Sequence, residues 1–244
     1  MENKIKTLGI SLDGILRDFH SKFDEVYRKN FIKNDSLVQA DENFQYILPQ
    51  KNEDEDELDK LERVVKEKIH LPVDTYDLMN HYHFESREQF ETFFQDFAFE
   101  LFATANQFPR AFDVANRIQS FGKINGLFET VLLVKGQDKI AAATYAFLGK
   151  SGCKIEKIIF VKQDVDKWNH CDVLIDDSPE SFESKPKEKI SIKISYAYNA
   201  YSEVDYSFDV INSVYNEMFF LQIFRPDKYK EIMDSKKSKE KKDE

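Results

Sequence analysis

A chain of 244 residues with 41% hydrophobic side chains can bury a substantial core, and its length suits one domain with an insertion or two unequal domains. A net charge of −10 argues against duplex DNA or RNA as the main partner, because phosphate backbones are gripped by an excess of Lys and Arg on one face. Cys153 and Cys171 fit no metal-ligand spacing and read as reduced thiols. No apolar stretch is long enough for a signal peptide or a membrane span, so the expectation is a soluble cytoplasmic protein with no membrane partner.

In chain order, residues 5 to 12 form a short apolar strand, and residues 18 to about 121 are mostly helical in pattern. Phe19, Phe23, Val26 and Tyr27 recur at helical spacing. The acidic run Glu53 to Glu57 precedes Leu58, Leu61, Val64 and Val65 and suits a helix start; it lacks the glycine of a calcium loop. Phe90, Phe93, Phe94, Phe97, Leu101 and Phe102 make a broad apolar stripe, read as the core of a helix bundle. From residue 127 the pattern becomes strand and helix in alternation. Leu127 to Val134, Ile155 to Val161, Val173 to Ile175 and Ile190 to Ser195 read as strands. Asp138 to Lys150 and Asp205 to Ile223 read as helices, with Gly149 as a C-cap, and Ser235 to Glu244 is a charged helix extension or solvated tail. The order predicts an α/β fold, a Rossmann-like parallel sheet with right-handed crossovers. Residues 1–17 and 122–234 form its core, and 18–121 an inserted helical cap.

Two apolar runs end in polar groups that a parallel sheet would bring to one edge, where open α/β folds bind ligands. One is Ser11-Leu12-Asp13-Gly14-Ile15-Leu16 after Leu8-Gly9-Ile10; the other is Leu174-Ile175-Asp176-Asp177-Ser178-Pro179-Glu180. With Asp166-Lys167 just upstream of the second run and Ala197-Tyr198-Asn199 after the last strand, their order resembles the haloacid dehalogenase-like phosphohydrolases. Within these it is similar to the 5'(3')-deoxyribonucleotidase-type nucleotidases. The first motif of that family is Asp-x-Asp-Gly-(Thr/Val)-Leu, matched here except at its first position.

The resemblance implies phosphoryl transfer through an aspartyl phosphate, with Mg²⁺ as cofactor. Asp13 would be general acid and base, Lys167 would offset charge on the nucleophile and phosphate, and Asp176 and Asp177 would serve the metal, Asp176 facing it. Ser11 stands at the nucleophile position. A neutral hydroxyl attacks phosphorus poorly unless a base takes its proton, and losing a carboxylate weakens a Mg²⁺ site. Lys135 occupies the second-motif position, where the family places Thr or Ser. Its ammonium is expected to face Asp13, Asp176 and Asp177 in place of the metal.

Other candidates read as structural. Gly149-Lys150-Ser151 lacks the leading glycine of a phosphate loop, His70, His81 and His83 lack a second ligand pair, and Trp168 packs under the following strand. The leading reading is a degenerate nucleotidase-like phosphohydrolase, a pseudoenzyme retaining a binding or assembly role, with a nucleotide or phosphate ligand. One alternative is an active Mg²⁺-dependent 5'-nucleotidase-type phosphatase on nucleoside monophosphates, Ser11 being an unusual nucleophile or an inactivating replacement. The other is an interaction protein that docks a protein partner through its aromatic cap.

Overall fold

The computed structural model describes residues 5–31, 73–82, 84–136 and 138–240. The acidic run at 53–57, the apolar positions after it, His70 and His83 lie outside the described residues.

Continuous apolar runs form the central strands, which are buried on both faces as parallel sheets require. The strands β1 (Lys6–Ser11), β4 (Phe128–Lys135), β5 (Lys157–Val161), β6 (Val173–Asp176), β7 (Ile190–Ile194) and β8 (Tyr206–Phe208) make one six-stranded sheet in the order β5-β4-β1-β6-β7-β8. All its pairings are parallel. Side chains alternate across it. Leu8, Ile10, Leu132, Val134, Val173 and Ile175 meet Phe112, Ile118, Phe147 and Phe220 on one face. Val131, Leu133 and Leu174 meet Trp168 and Cys171 on the other.

Between β1 and β4 the chain leaves and re-enters through a small antiparallel ribbon, β2 (Arg17–Asp18) against β3 (Asn106–Gln107). Among the described residues, the helices between them are α1 (Phe19–Phe31), α2 (Leu78–His81), α3 (Arg87–Asp96) and α4 (Ala98–Ala103). Ser86 starts α3 by accepting the Gln89 N–H. Phe19, Phe23, Phe93, Leu101 and Phe102 form a second apolar cluster, and Phe90, Phe94 and Phe97 pack against it. Of the aromatic residues between 84 and 102, Phe99 is the one that faces solvent.

Three expectations need correction. Helix α5 (Ala111–Ile124) lies mostly in the stretch read as insertion, which ends at residue 121, yet Phe112, Val114, Ala115 and Ile118 are buried in the sheet's own core. Helix α6 (Asp138–Lys150) runs past Gly149, and the left-handed turn falls at Gly152, φ 69°. Beyond the short helix α7 (Pro179–Glu183), the expected helix from Asp205 to Ile223 is broken into β8, a short turn and α8 (Glu217–Phe224). Asn216 caps α8 by accepting from the Met218 and Phe219 N–H groups, and α9 (Pro226–Glu240) carries the helix into the charged tail.

Candidate functional site

The carboxyl ends of β1, β4 and β6 are adjacent in the sheet. After Ser11 the chain folds tightly back, with the Leu16 and Arg17 N–H groups donating to the Leu12 carbonyl and the Gly14 N–H to that of Arg17. Gly14 turns this corner at φ 74°. A Cβ there would stand 2.0 Å from Asp177 Oδ2, so the glycine allows the Asp177 carboxyl to lie against the backbone. Gly14→Ala is therefore expected to cost ~2 kcal/mol or more, from left-handed strain and displacement of Asp177; equilibrium urea unfolding measures it.

A cavity of about 160 Å³ opens at this edge. Ser11, Asp13, His20, Tyr76, Lys135, Asp164, Lys167 and Asp177 give its polar lining, and Phe19, Phe94 and Phe102 part of its apolar wall. The Ser11 residue is 2% exposed, and its hydroxyl has no hydrogen-bond partner among the described residues.

Asp13 is gripped on both oxygens by Arg17, Nε to Oδ1 at 2.6 Å and Nη2 to Oδ2 at 2.9 Å. Arg17 is wholly buried. Its Nη1 donates to the Phe102 carbonyl at 2.9 Å, and its guanidinium lies over the rings of Phe102 and Phe147.

Lys167 sits on a short 3-10 turn, Asp164–Asn169, three residues after Asp164, which puts both on one face. Its Nζ reaches both oxygens of Asp176 at 3.0 and 2.9 Å and lies 2.7 Å from Asp164 Oδ1. Burial opposes the Lys167 charge, but Asp176 and Asp164 outweigh it and hold the ammonium above its ordinary range. Burial would likewise raise Asp164; Lys167 and Lys135 prevail and hold its carboxyl down at about 2.

Lys135 departs from expectation. Its Nζ bonds Asp164 Oδ2 at 2.5 Å and lies 3.9 Å from Glu180, instead of pairing with Asp13, Asp176 or Asp177. The roles of the adjacent carboxylates also change: Asp176, expected to face a metal, is enclosed with Lys167, while Asp177 lines the cavity. Tyr198 donates to Asp177 Oδ2 at 2.5 Å. Burial pushes the Asp177 carboxyl well above the usual range, Asp176 adding to this against Lys167. Trp168 packs on the sheet and donates to the Ser181 carbonyl at 2.7 Å.

Several members of this site are not apparent from sequence. Arg17 and Asp164 lie four and three residues from Asp13 and Lys167, a spacing that only the observed turns make meaningful. Tyr76, from the helical block, donates to Asp164 at 3.0 Å. Tyr196 donates to the Gly14 carbonyl at 2.6 Å and stacks on Tyr198. His20 meets the Tyr198 ring edge-on, and burial lowers its pKa, favouring the neutral imidazole. His81 pairs with Asp74 at 3.3 Å.

The donor set does not fit the Mg²⁺ implied by the resemblance. Asp13, Asp164 and Asp176 each face a cation through both oxygens, and Ser11 supplies no charge. Among the described residues, no group of three or more His, Cys, Asp or Glu is placed to hold a metal ion.

No protein-family model matches the chain, and no curated protein matches it in sequence. Solved structures do match its fold. A haloacid dehalogenase-like hydrolase from Bacteroides fragilis aligns over 87% of this chain and 100% of its own, at 12% identity and TM-score 0.52. A haloacid dehalogenase-like family hydrolase from Streptococcus pneumoniae aligns over 86% and 96%, at 10% identity and TM-score 0.50. A hydrolase from Bacillus subtilis, solved with bound magnesium, aligns over 87% and 98%, at 15% identity and TM-score 0.49. The six-stranded parallel sheet, with its helices and its polar edge beyond β1, β4 and β6, thus has the fold of the haloacid dehalogenase-like hydrolases.

Proposed function

We propose that the chain is a degenerate nucleotidase-like phosphohydrolase, a pseudoenzyme that keeps the scaffold for a binding or assembly role. The observation that carries this reading is the Ser11 hydroxyl, buried at the end of β1 without a hydrogen-bond partner. Covalent phosphoryl capture at that position needs a carboxylate, or a hydroxyl whose proton a base removes. No base contacts Ser11 among the described residues. The acid-base position supports the same conclusion, because Asp13 is committed to Arg17 on both oxygens. A proton shuttle must change partners during turnover, and a bidentate pair anchored on the buried Arg17 guanidinium resists that change.

The direct test is inorganic phosphate release from p-nitrophenyl phosphate and a panel of nucleoside monophosphates, with and without Mg²⁺. Release at the uncatalysed background is expected, against the ~10 s⁻¹ of a typical enzyme. Turnover abolished by Asp13→Asn would overturn the proposal in favour of an active nucleotidase-type enzyme. Ser11→Asp alone is expected to gain little, since Arg17 still holds Asp13 and Lys135 still stands at the second-motif position.

A further inference from the structure

Five side chains from four elements form a row of alternating charge. Asp176 at the end of β6 meets Lys167 on the 3-10 turn through both its oxygens. Lys167 meets Asp164 at 2.7 Å, Asp164 meets Lys135 at the end of β4 at 2.5 Å, and Lys135 approaches Glu180 at 3.9 Å. A separate pair, Asp13 with Arg17, closes the Asp13 carboxylate at the β1 corner.

We infer that side-chain ammonium groups replace the divalent cation at this sheet edge, so that the chain neither binds Mg²⁺ there nor depends on it for folding. The inference rests on the reading above for the location of the site, and deepens it. Mg²⁺ requires several hard oxygens in near-octahedral geometry and gives up its water reluctantly. Here the carboxylate oxygens that could displace water already face Lys135, Lys167 or Arg17, and one oxygen of Asp177 accepts from Tyr198. A metal ion entering the cavity would also meet the Lys135 and Lys167 ammonium groups that line it. The replacement is more than the loss of a ligand: Lys135 and Lys167 together satisfy Asp164 and Asp176, which would otherwise be left as neighbouring unpaired anions.

Two measurements on the full chain test this, both after chelator treatment. The first follows thermal unfolding by the fluorescence of Trp168, the chain's single tryptophan, with Mg²⁺ at millimolar concentration or NaCl at matched ionic strength. The two melting temperatures are expected to agree, and a saturable rise specific to Mg²⁺ would overturn the inference. The second titrates Mn²⁺ and reads the free ion by electron paramagnetic resonance; retention of one equivalent by the wild-type chain would also overturn it.

The double variant Ser11→Asp with Lys135→Thr restores a carboxylate and removes an ammonium. It is expected to melt at a higher temperature in Mg²⁺ than in NaCl. A folded double variant indifferent to Mg²⁺ would show that the ammonium row is not what excludes the ion. Metal binding by the wild type without phosphate release would sink this inference and leave the pseudoenzyme reading intact. Mg²⁺-independent phosphate release would do the reverse.

Discussion

Asp164→Asn is expected to lower the unfolding free energy by ~3–5 kcal/mol, the range seen when one partner is removed from a buried ion pair. Asp164 is fully buried and lies between two ammonium groups, so the amide would leave Lys167 with Asp176 alone and Lys135 without its short contact. For a chain of this size the loss corresponds to a fall in melting temperature of roughly 10 °C. Equilibrium urea denaturation with unchanged slope would give the value directly. A change within about 0.5 kcal/mol, the range of ordinary surface substitutions, would show that the row of charges contributes little.

The same residue sets an acid limb. Its folded pKa, about 2, lies below the unfolded value of about 3.9, so its contribution is fully present above the unfolded pKa and is lost as pH falls towards the folded one. Between about pH 4 and pH 2 the wild type should lose ~2 kcal/mol on this account, and Asp164→Asn should lack that segment of the titration. Asp177 acts with the opposite sign in another window. Its folded pKa is raised, so its contribution is present below the unfolded value and falls as pH rises above about 4.

Arg17→Met is expected to be almost as severe, at ~3 kcal/mol. The methionine keeps apolar contact with Phe102 and Phe147 but loses both bonds to Asp13 and the bond to the Phe102 carbonyl. That carbonyl belongs to α4 and Arg17 to the ribbon, so the substitution loosens the join between the helical block and the sheet. Arg17→Lys keeps the charge without the planar fork and should recover less than half of the loss. A double-mutant cycle with Asp13→Asn isolates the pair, for which a coupling of ~1–3 kcal/mol is expected. Proteolysis confined to the helical block of Arg17→Met would identify the join as the part that fails.

The strands were the most legible part of the fold, because a strand buried on both faces is a short apolar run whatever surrounds it. Leu127 to Val134 and Val173 to Ile175 fall within a residue of β4 and β6. Helices were legible as helices but not by layer: Phe112, Val114 and Ile118 have the same periodicity whether they face the sheet or other helices. The segment from Asp205 reads equally as strand or helix, because apolar residues at 206, 208, 210 and 211 fit both periods over so short a span. The Asn216 cap is the local signal that places the helix start. At the site, the sequence motifs point to Ser11, Asp13, Lys135, Lys167, Asp176 and Asp177, and all but Asp176 line one cavity. Which cation meets which carboxylate could not be read, because it depends on side-chain reach across β4, β6 and the 3-10 turn. Tyr76 was out of reach altogether, since its contact with Asp164 spans 88 positions.

The ribbon pairs Arg17 with Gln107 and Asp18 with Asn106, so the chain departs from the sheet layer and returns to it at neighbouring points. Once two ends are held together in this way, lengthening or shortening the stretch between them changes the closure entropy only logarithmically. The intervening helices can therefore vary in length at small entropic cost, but a graft in their place would have to match the ribbon's four residues and also meet the Arg17 guanidinium, Asp164 and helix α6, which the present block contacts through the Phe102 carbonyl, Tyr76 and its apolar cluster.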